Sequence, residues 1–345
     1  MIVTLIRCSV CSAFYLGFRR AAIWVFGLFS KAKDLEPVIG FGDNILAKTN
    51  RFLGPLLFNF SPSPSLKTTL FDLEFASPVT FASFKDDHHL IEIWLRLGIG
   101  GGCLKTILPE PHTGNARPRL QEVCVDGQPG LINHLGLPGK GVIALSDSLA
   151  DLSFLRFNRP IGLSIGGHCL ADYQKVFDCL HHVVSSHSFC SFYYELNISC
   201  PNTPDGQNFI KNPDLLTTLL AYIRQKSNLV LSVKVSPDQS DDSLCQVAEI
   251  CKGFDKVFIN AGNTQYRNKG SVGLPEKALA LPGGGLSGGA LFERTLSMVR
   301  LLSGTGVPVM ATGGISSVDH VRTVMGQGAA LCGIATGLVF NPDDI

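Results

Sequence analysis

The sequence predicts an α/β protein folded as a (β/α)8 barrel, or TIM barrel, with a short helical extension before it. Eight short apolar runs alternate along the chain with amphipathic stretches of helical spacing. This alternation is typical of parallel strands joined by helices, and eight such units favour a closed barrel over an open sheet. A barrel takes about 250 residues, so the 345-residue chain has room for an extension.

The predicted strands are short apolar runs, each followed by a turn or by polar residues. In chain order they are Pro78–Ser83, Gly101–Ile107, Ile161–Gly166, Tyr193–Ser199, Leu229–Val235, Lys256–Asn260, Val307–Thr312 and Ala330–Thr336. The predicted helices between them are Asp86–Leu97, Leu170–His187, Pro213–Lys226, Asp241–Gly253, Leu291–Ser303 and Ser317–Gln327. Asp241 and Ser317 are expected to be N-caps, because their side chains can accept from free backbone N–H groups.

Two long segments interrupt the strand–helix pattern. Residues Pro109–Gly139 follow the second predicted strand, and Asn263–Gly289 follow the sixth. Because the loops after barrel strands build the active site, we expect both segments to rise over the same mouth.

The N-terminal segment, residues 1–65, differs in charge from the barrel domain predicted at 66–345. Residues 1–70 contain 8 Lys and Arg against 3 Asp and Glu, a balance of +5, and the remainder has 21 against 25, a balance of −4. The Pro- and Ser-rich stretch 61–65 is typical of a linker.

Two uncharged stretches, Cys8–Phe18 and Ala21–Ser30, are separated by Arg19 and Arg20. Each is shorter than the ~20 residues that a spanning helix needs. We therefore expect a helix lying on a membrane surface, with both arginines toward the lipid headgroups. A cleaved targeting peptide and a single transmembrane helix remain alternatives.

Composition excludes several classes of protein. Charged residues make up 17% of the chain and the net charge is +1, which argues against a nucleic-acid partner. Eleven cysteines without a regular framework indicate a reducing compartment. Cys8 and Cys11 have the spacing of a redox motif, but they lie in an apolar run without a second pair, and the histidines lack partners at metal-ligand spacing, so no metal site is expected. The sequence has neither a Walker-type loop nor a dinucleotide-binding glycine motif at a first helix.

Glycine-rich turns follow the last two predicted strands, at Thr312-Gly-Gly314 and Ala335-Thr-Gly337. Barrels often bind phosphate with these two loops, because glycines let backbone N–H groups approach the phosphate oxygens. Lys234 lies within a predicted strand, which suggests that its amine meets an anion or a cofactor. Cys200 follows the fourth strand among amides and hydroxyls, where a thiol could serve as a base.

Five motifs resemble those of the dihydroorotate dehydrogenases, and the resemblance extends from about Leu70 to Pro342. The motifs are Asn197-Ile-Ser-Cys-Pro-Asn-Thr203, Val233-Lys-Val-Ser-Pro-Asp238, Gly284-Gly-Leu-Ser-Gly288, Thr312-Gly-Gly-Ile315 and Gly114-Asn-Ala-Arg-Pro-Arg119 with the following 130–138. The resemblance implies an FMN-bearing barrel that oxidises dihydroorotate to orotate in pyrimidine synthesis. It also implies that a base in the loop after the fourth strand removes the C5 proton, while hydride passes from C6 to the flavin.

The resemblance also implies a role for individual residues. Cys200 corresponds to the base. The implied substrate contacts are Lys85, Asn133, Gly136, Leu137, Asn197, Asn202 and Asn260. The implied FMN contacts are Ala82, Ser83, Lys85, Ser164, Asn197, Lys234, Asn260, Gly288, Gly313, Gly314, Ala335 and Thr336.

The sequence combines features of two branches of the family. Membrane-bound, quinone-using members carry such an N-terminal extension but usually a serine base, whereas soluble, fumarate-using members usually carry a cysteine. We expect a quinone acceptor and association with the cytoplasmic membrane, or with the mitochondrial inner membrane in a eukaryote, because a quinone is met at the lipid surface. The alternatives are a fumarate-linked enzyme and a catalytically degenerate, membrane-bound binding module; Phe84 in the first flavin loop and Gly139 motivate the latter.

Overall fold

A closed eight-stranded parallel barrel forms the body of the protein. The computed structural model describes residues 13, 15–25, 34–186, 191–198, 209 and 212–340. The strands in chain order are β1 (Thr68–Leu70), β2 (Leu73–Phe75), β3 (Val79–Phe81), β4 (Gly101–Ile107), β5 (Leu120–Val125), β6 (Gln128–Asn133), β7 (Ile161–Ile165), β8 (Phe192–Asn197), β9 (Leu231–Val235), β10 (Val257–Ala261), β11 (Gln265–Asn268), β12 (Gly283–Gly288), β13 (Val309–Thr312) and β14 (Ala329–Ile334). The barrel runs β3-β4-β7-β8-β9-β10-β13-β14 and closes back on β3, while β1 and β2 form a hairpin.

Helices follow most of the barrel strands. The described helices are 15–25, Glu36–Leu57, His88–Arg96, Gly141–Ser148, Leu170–Ser185, Pro213–Lys226, Asp241–Lys252, Phe292–Ser303, Val318–Gly326 and Thr336–Phe340. All eight predicted strands and all six predicted helices are confirmed, with ends that differ by a few residues. Ser317 is an N-cap as predicted, but the prediction for Asp241 is wrong, because Ser240 caps that helix by accepting from the Ser243 N–H.

The barrel strands are buried on both faces, which explains why their sequences are mainly apolar and do not alternate between apolar and polar residues. Every residue of β7, β9 and β10 is buried. Their outward side chains pack against the surrounding helices in one large cluster, which includes Leu163, Phe177 and Leu220.

The two predicted insertions fold together. The first contributes β5 and β6, the second contributes β11 and β12, and the four strands form one antiparallel sheet in the order β11-β12-β6-β5. The central pairing aligns Gly285 with Asn133, residues more than 150 positions apart. This sheet carries Asn133 to the mouth of the barrel.

The helix Glu36–Leu57 is held against the barrel mouth by paired charges. The buried Arg119 guanidinium donates two hydrogen bonds to the Glu36 carboxylate, at 2.6 and 2.8 Å. Arg117 reaches the same carboxylate at 2.8 Å. Further along the helix, Asp43 forms an ion pair with Lys85. The helix also packs along the barrel helix His88–Arg96.

Residues 15–25 form a helix that touches the end of the described chain. The Arg19 guanidinium pairs with Glu122 and lies over the Phe340 ring, 4.7 Å from its centroid. The expectation that Arg19 faces lipid headgroups is therefore wrong, whereas Arg20 is exposed. Among the described helices, none combines the length and the apolar character needed to cross a membrane.

Gly262 brings the ends of two barrel strands together, because it leaves no space for a side chain. Its φ is +154°, and a Cβ there would lie 1.5 Å from the Thr312 carbonyl oxygen. We expect Gly262→Ala to lower the free energy of unfolding by at least about 3 kcal/mol, from backbone strain and overpacking together. Chemical denaturation measures the loss.

Gly273→Ala is the matched control for backbone conformation alone. Gly273 has a φ of +72°, but a Cβ there would meet no atom within 4 Å. A cost of about 1–2 kcal/mol is expected from the left-handed backbone. Equal losses for the two variants would show that the close contact with Thr312 is not what makes Gly262 necessary.

Candidate active site

A single connected pocket opens at the carboxyl ends of the barrel strands. It gathers twelve of the residues predicted for the site, in the loops after β3, β6, β13 and β14, in β8 and β9, and in the inserted sheet. These are Ala82, Ser83, Asn133, Gly136, Leu137, Asn197, Lys234, Gly288, Gly313, Gly314, Ala335 and Thr336. The topology thus brings together side chains that are up to 254 positions apart along the chain (Ala82 to Thr336).

Other predicted site residues lie elsewhere. Lys85 is paired with Asp43 and does not line the pocket. Ser164 and Asn260 are almost fully buried in the layer beneath the lining residues. Cys200 and Asn202 lie outside the described residues, so the assignment of the base stays a prediction.

A buried carboxylate, Glu195 of β8, lies beneath the pocket and was not predicted from the sequence. It is 1% exposed. It accepts hydrogen bonds from Ser83 Oγ at 2.8 Å, from Ser164 Oγ at 3.1 Å and from Asn260 Nδ2 at 2.7 Å. Lys234 Nζ donates to Ser83 Oγ at 2.8 Å and lies 3.9 Å from Glu195 Oε1.

A chain of hydrogen bonds connects this carboxylate with the pocket wall. Asn263 Nδ2 donates to Asn197 Oδ1 at 3.3 Å, and Asn197 Nδ2 donates to Thr106 Oγ1 at 2.9 Å. Thr106 Oγ1 lies 3.0 Å from Ser164 Oγ. Because the Ser164 proton goes to Glu195, Thr106 is the donor in that pair. The chain therefore has one direction and fixes the orientation of the Asn197 amide.

Lys105 is a second lysine in the pocket, and it was also missed. Burial lowers its pKa, and the nearby Lys85 ammonium acts in the same direction, against the opposing charge of Asp86. A lysine inside an otherwise apolar strand was available as a signal, since the same pattern singled out Lys234. Asn263, the first residue of the second insertion, also lines the pocket and was not assigned a role from the sequence.

The charge of the pocket favours an anionic ligand. Lys105 and Lys234 both line it, and no Asp or Glu does so among the described residues. Three asparagines line it as well, Asn133, Asn197 and Asn263. Amides can both donate and accept, which suits a planar heterocycle with carbonyl and N–H groups at its edge.

One end of the pocket is formed mainly by backbone. Gly313 and Gly314 have positive φ values of +137° and +70°, and a Cβ at Gly314 would lie 2.5 Å from the Phe292 nitrogen. The Thr312 hydroxyl is buried there without a hydrogen-bond partner among the described residues. Thr336 Oγ1 donates to Ser287 Oγ at 2.8 Å. This end offers N–H and hydroxyl groups without charge repulsion.

Phe84, which motivates the alternative of a degenerate binding module, lines the pocket. Its ring stacks on Trp94 at 5.3 Å between centroids, and Phe81 packs on the same indole at 5.4 Å. The loop after β3 therefore accommodates Phe84 by packing it against the helix His88–Arg96.

A family model described as dihydroorotate dehydrogenase matches residues 65–345. The chain belongs to the dihydroorotate dehydrogenase family. The match begins before β1 and takes in every barrel strand and every residue of the pocket, so family and site coincide.

Curated relatives from bacteria carry the name dihydroorotate dehydrogenase (quinone). The protein from Chloroflexus aurantiacus is 32% identical over 289 residues, which cover 80% of this chain and 78% of the relative. The protein from Azotobacter vinelandii is 32% identical over 296 residues, which cover 80% and 81%. Crystal structures of DHODH from Eimeria tenella, with ferulenol and without ligand, share the fold at a TM-score of 0.71, with 20% and 21% identity; they cover 87% of this chain and 87% and 90% of theirs.

Proposed function

We propose that this protein oxidises (S)-dihydroorotate to orotate with FMN as its cofactor, in pyrimidine biosynthesis, and passes the electrons to a membrane quinone. The observation that carries the proposal is a pocket with two lysines, several amides and no acidic side chain among its described residues, in a chain of this family. The names of the bacterial relatives support quinone over fumarate as acceptor.

The residues at the glycine-rich end fit the phosphate of FMN. They supply backbone N–H groups at Gly288, Gly313 and Gly314, and the Thr312 hydroxyl lacks a partner among the described residues. Lys234 would lie near the flavin ring, where its ammonium favours negative charge. FMN held there would supply the acceptor for the hydride that the substrate loses.

The other residues of the pocket bind and orient the substrate in this proposal. The Asn133, Asn197 and Asn263 amides hold the pyrimidine ring, and the hydrogen-bond chain from Asn263 to Glu195 keeps the Asn197 amide in one orientation. Lys105 pairs with the substrate carboxylate in place of Lys85. Cys200, in the loop after β8, removes the C5 proton, and Asn202 of the same loop completes the amide set.

The N-terminal residues 1–65 form the membrane-contacting part, and residues 66–345 form the catalytic barrel. Seven of the thirteen large apolar side chains that are exposed in the described chain lie between residues 24 and 60. Phe41, Phe52 and Leu56 are separated by 11 and 4 residues, close to whole helical turns, and so share one face of their helix. Lys48 and Arg51 are exposed on the same helix. Exposed apolar and basic side chains together suit the surface of a membrane.

Charged substitutions on this helix face test the membrane contact. Phe52 is 77% exposed and Leu56 is 61% exposed. We expect Phe52→Glu/Leu56→Glu to reduce binding to anionic vesicles and turnover with a long-tailed quinone by about tenfold or more, since each buried apolar side chain contributes about 1.5–3 kcal/mol. Turnover with a soluble dye should stay near that of the wild type.

Ile143→Glu is the matched control. Ile143 is 57% exposed on a helix after the first insertion. It should alter neither vesicle binding nor quinone turnover. If the double variant kept full quinone turnover, the membrane would have to be contacted elsewhere, and dye turnover lost in parallel would point to damage to the barrel.

We expect substitutions of Lys105 and Lys85 to affect substrate binding differently. Lys105→Met should lower kcat/KM for dihydroorotate about 10- to 100-fold, because a hydrogen bond to a charged group contributes about 1.5–3 kcal/mol. Lys85→Met should lower it less than about threefold, because Lys85 is already paired with Asp43. Steady-state assays with a dye acceptor compare them, and a larger loss for Lys85 would reverse the assignment.

The pH dependence of KM gives a second measurement on Lys105. Its ammonium binds the substrate carboxylate below its pKa and loses its charge above it. Burial lowers this pKa from 10.5. KM should therefore begin to rise at a lower pH than it would if the lysine had its ordinary pKa. The rise should be absent in Lys105→Met.

Cys200→Ala tests the base. General-base catalysis contributes about 10²–10⁴-fold in rate, so the variant should lose that much kcat while it still binds orotate. Cys124→Ala, an exposed cysteine in the inserted sheet, is the control and should keep full activity. Near-normal turnover in Cys200→Ala would remove Cys200 from the mechanism.

A further inference from the structure

Glu195 is a carboxylate buried beneath the pocket, and its burial requires an explanation. It does not line the pocket, and both of its carboxylate oxygens accept hydrogen bonds, Oε1 from Ser83 and Ser164 and Oε2 from Asn260. An ion that is removed from water costs several kcal/mol unless it is paired and hydrogen-bonded. Since all three partners donate, the carboxylate is accommodated as the anion.

The Cys103 thiol on β4 belongs to the same cluster. Its pKa lies well above the usual value, mainly because of burial and also because of the neighbouring Glu195 charge and a hydrogen bond to it. The thiol therefore stays protonated and donates. Lys234 is the one cation among the described partners of Glu195, at 3.9 Å.

The arrangement sets the position of Lys234. Its Nζ donates a hydrogen bond to Ser83 Oγ, and the Ser83 hydroxyl donates one to Glu195. The ammonium, the hydroxyl and the carboxylate therefore form a series of hydrogen bonds. Glu195 also fixes the orientation of the Asn260 amide. Nδ2 is bound to the carboxylate, and Oδ1 remains buried without a partner among the described residues.

We infer that Glu195 is a positioning residue that holds Lys234 in the pocket wall and, by balancing its charge, lowers the reduction potential of the bound FMN. This inference rests on the proposed function. A lysine beside the flavin favours the negative charge that reduction brings, and a fixed carboxylate near that lysine reduces the gain. A lower potential makes the reduced enzyme a better donor to its acceptor.

The test is the two-electron midpoint potential of the flavin in the full-length protein. Glu195→Gln keeps the shape and removes the charge. We expect the equilibrium constant for reduction to rise at least tenfold, a positive shift of about 30 mV for a two-electron couple. Glu195→Asp, which keeps the charge, should restore most of the wild-type potential. An unchanged or lower potential in Glu195→Gln overturns the inference.

Glu92→Gln is the matched control. Glu92 is also a buried carboxylate, paired with Arg96 and hydrogen-bonded by Ser153, but it lies on a barrel helix and not in the pocket. It should cost stability without shifting the potential. An equal shift in Glu92→Gln would mean that any damaged buried carboxylate moves the potential, and would also overturn the inference.

Two further outcomes separate this inference from the proposed function. If wild-type protein takes up no FMN, the proposed function fails and the inference fails with it. If flavin binds but the potential does not move in Glu195→Gln, only the inference fails. Where Glu195→Gln does not fold, Ser83→Ala breaks the series while keeping both charges; a smaller positive shift is expected, and a negative shift contradicts the inference.

Discussion

The burial of one carboxylate constrains the whole carboxyl end of the barrel. Glu195 is stabilised there because β3, β7 and β10 each contribute or lead into a donor, Ser83, Ser164 and Asn260. These donors hold the strand ends at fixed distances around β8. Since Ser83 and its partner Lys234 also form the pocket wall, the buried layer determines the geometry of the layer that faces the ligand. Losing one donor would leave the charge with fewer hydrogen bonds in a place that is almost closed to water.

The sequence predicted the barrel because the burial of parallel strands on both faces is a local property. A strand such as Ile161–Ile165 is buried throughout and, apart from Ser164, has no polar side chain, so it can be recognised from its own residues. The inserted sheet could not be predicted in this way. The pairing of Gly285 with Asn133 joins distant segments, and neither segment specifies its partner or its register. The insertions were therefore expected at the mouth, but not as one sheet.

The positions of residues in the candidate site could be predicted where the backbone alone fixes them. They were predicted less well where a side chain can reach more than one partner. Gly313 and Gly314 follow β13 and can lie only at the mouth. Lys85 also follows a strand, but Asp43, on a helix 42 positions earlier in the chain, occupies its ammonium. Lys105 lies inside β4 and reaches the pocket that Lys85 was expected to line. Which of two neighbouring lysines is free depends on tertiary contacts that sequence order does not contain.

Ion pairs with the barrel domain, such as that of Lys85 with Asp43, also change how the positive charge of the N-terminal residues is distributed. Residues 1–70 contain three acidic side chains, Asp34, Glu36 and Asp43. All three are paired with basic groups of the barrel, at Arg117, Arg119 and Lys85. The contacts with the barrel domain therefore neutralise the acidic side chains of the segment. The exposed side of the helix Glu36–Leu57 keeps basic and apolar side chains. A surface of this kind is of the type that anionic lipid attracts. The ion pairs that leave it exposed also connect the helix Glu36–Leu57 to the loops that border the pocket.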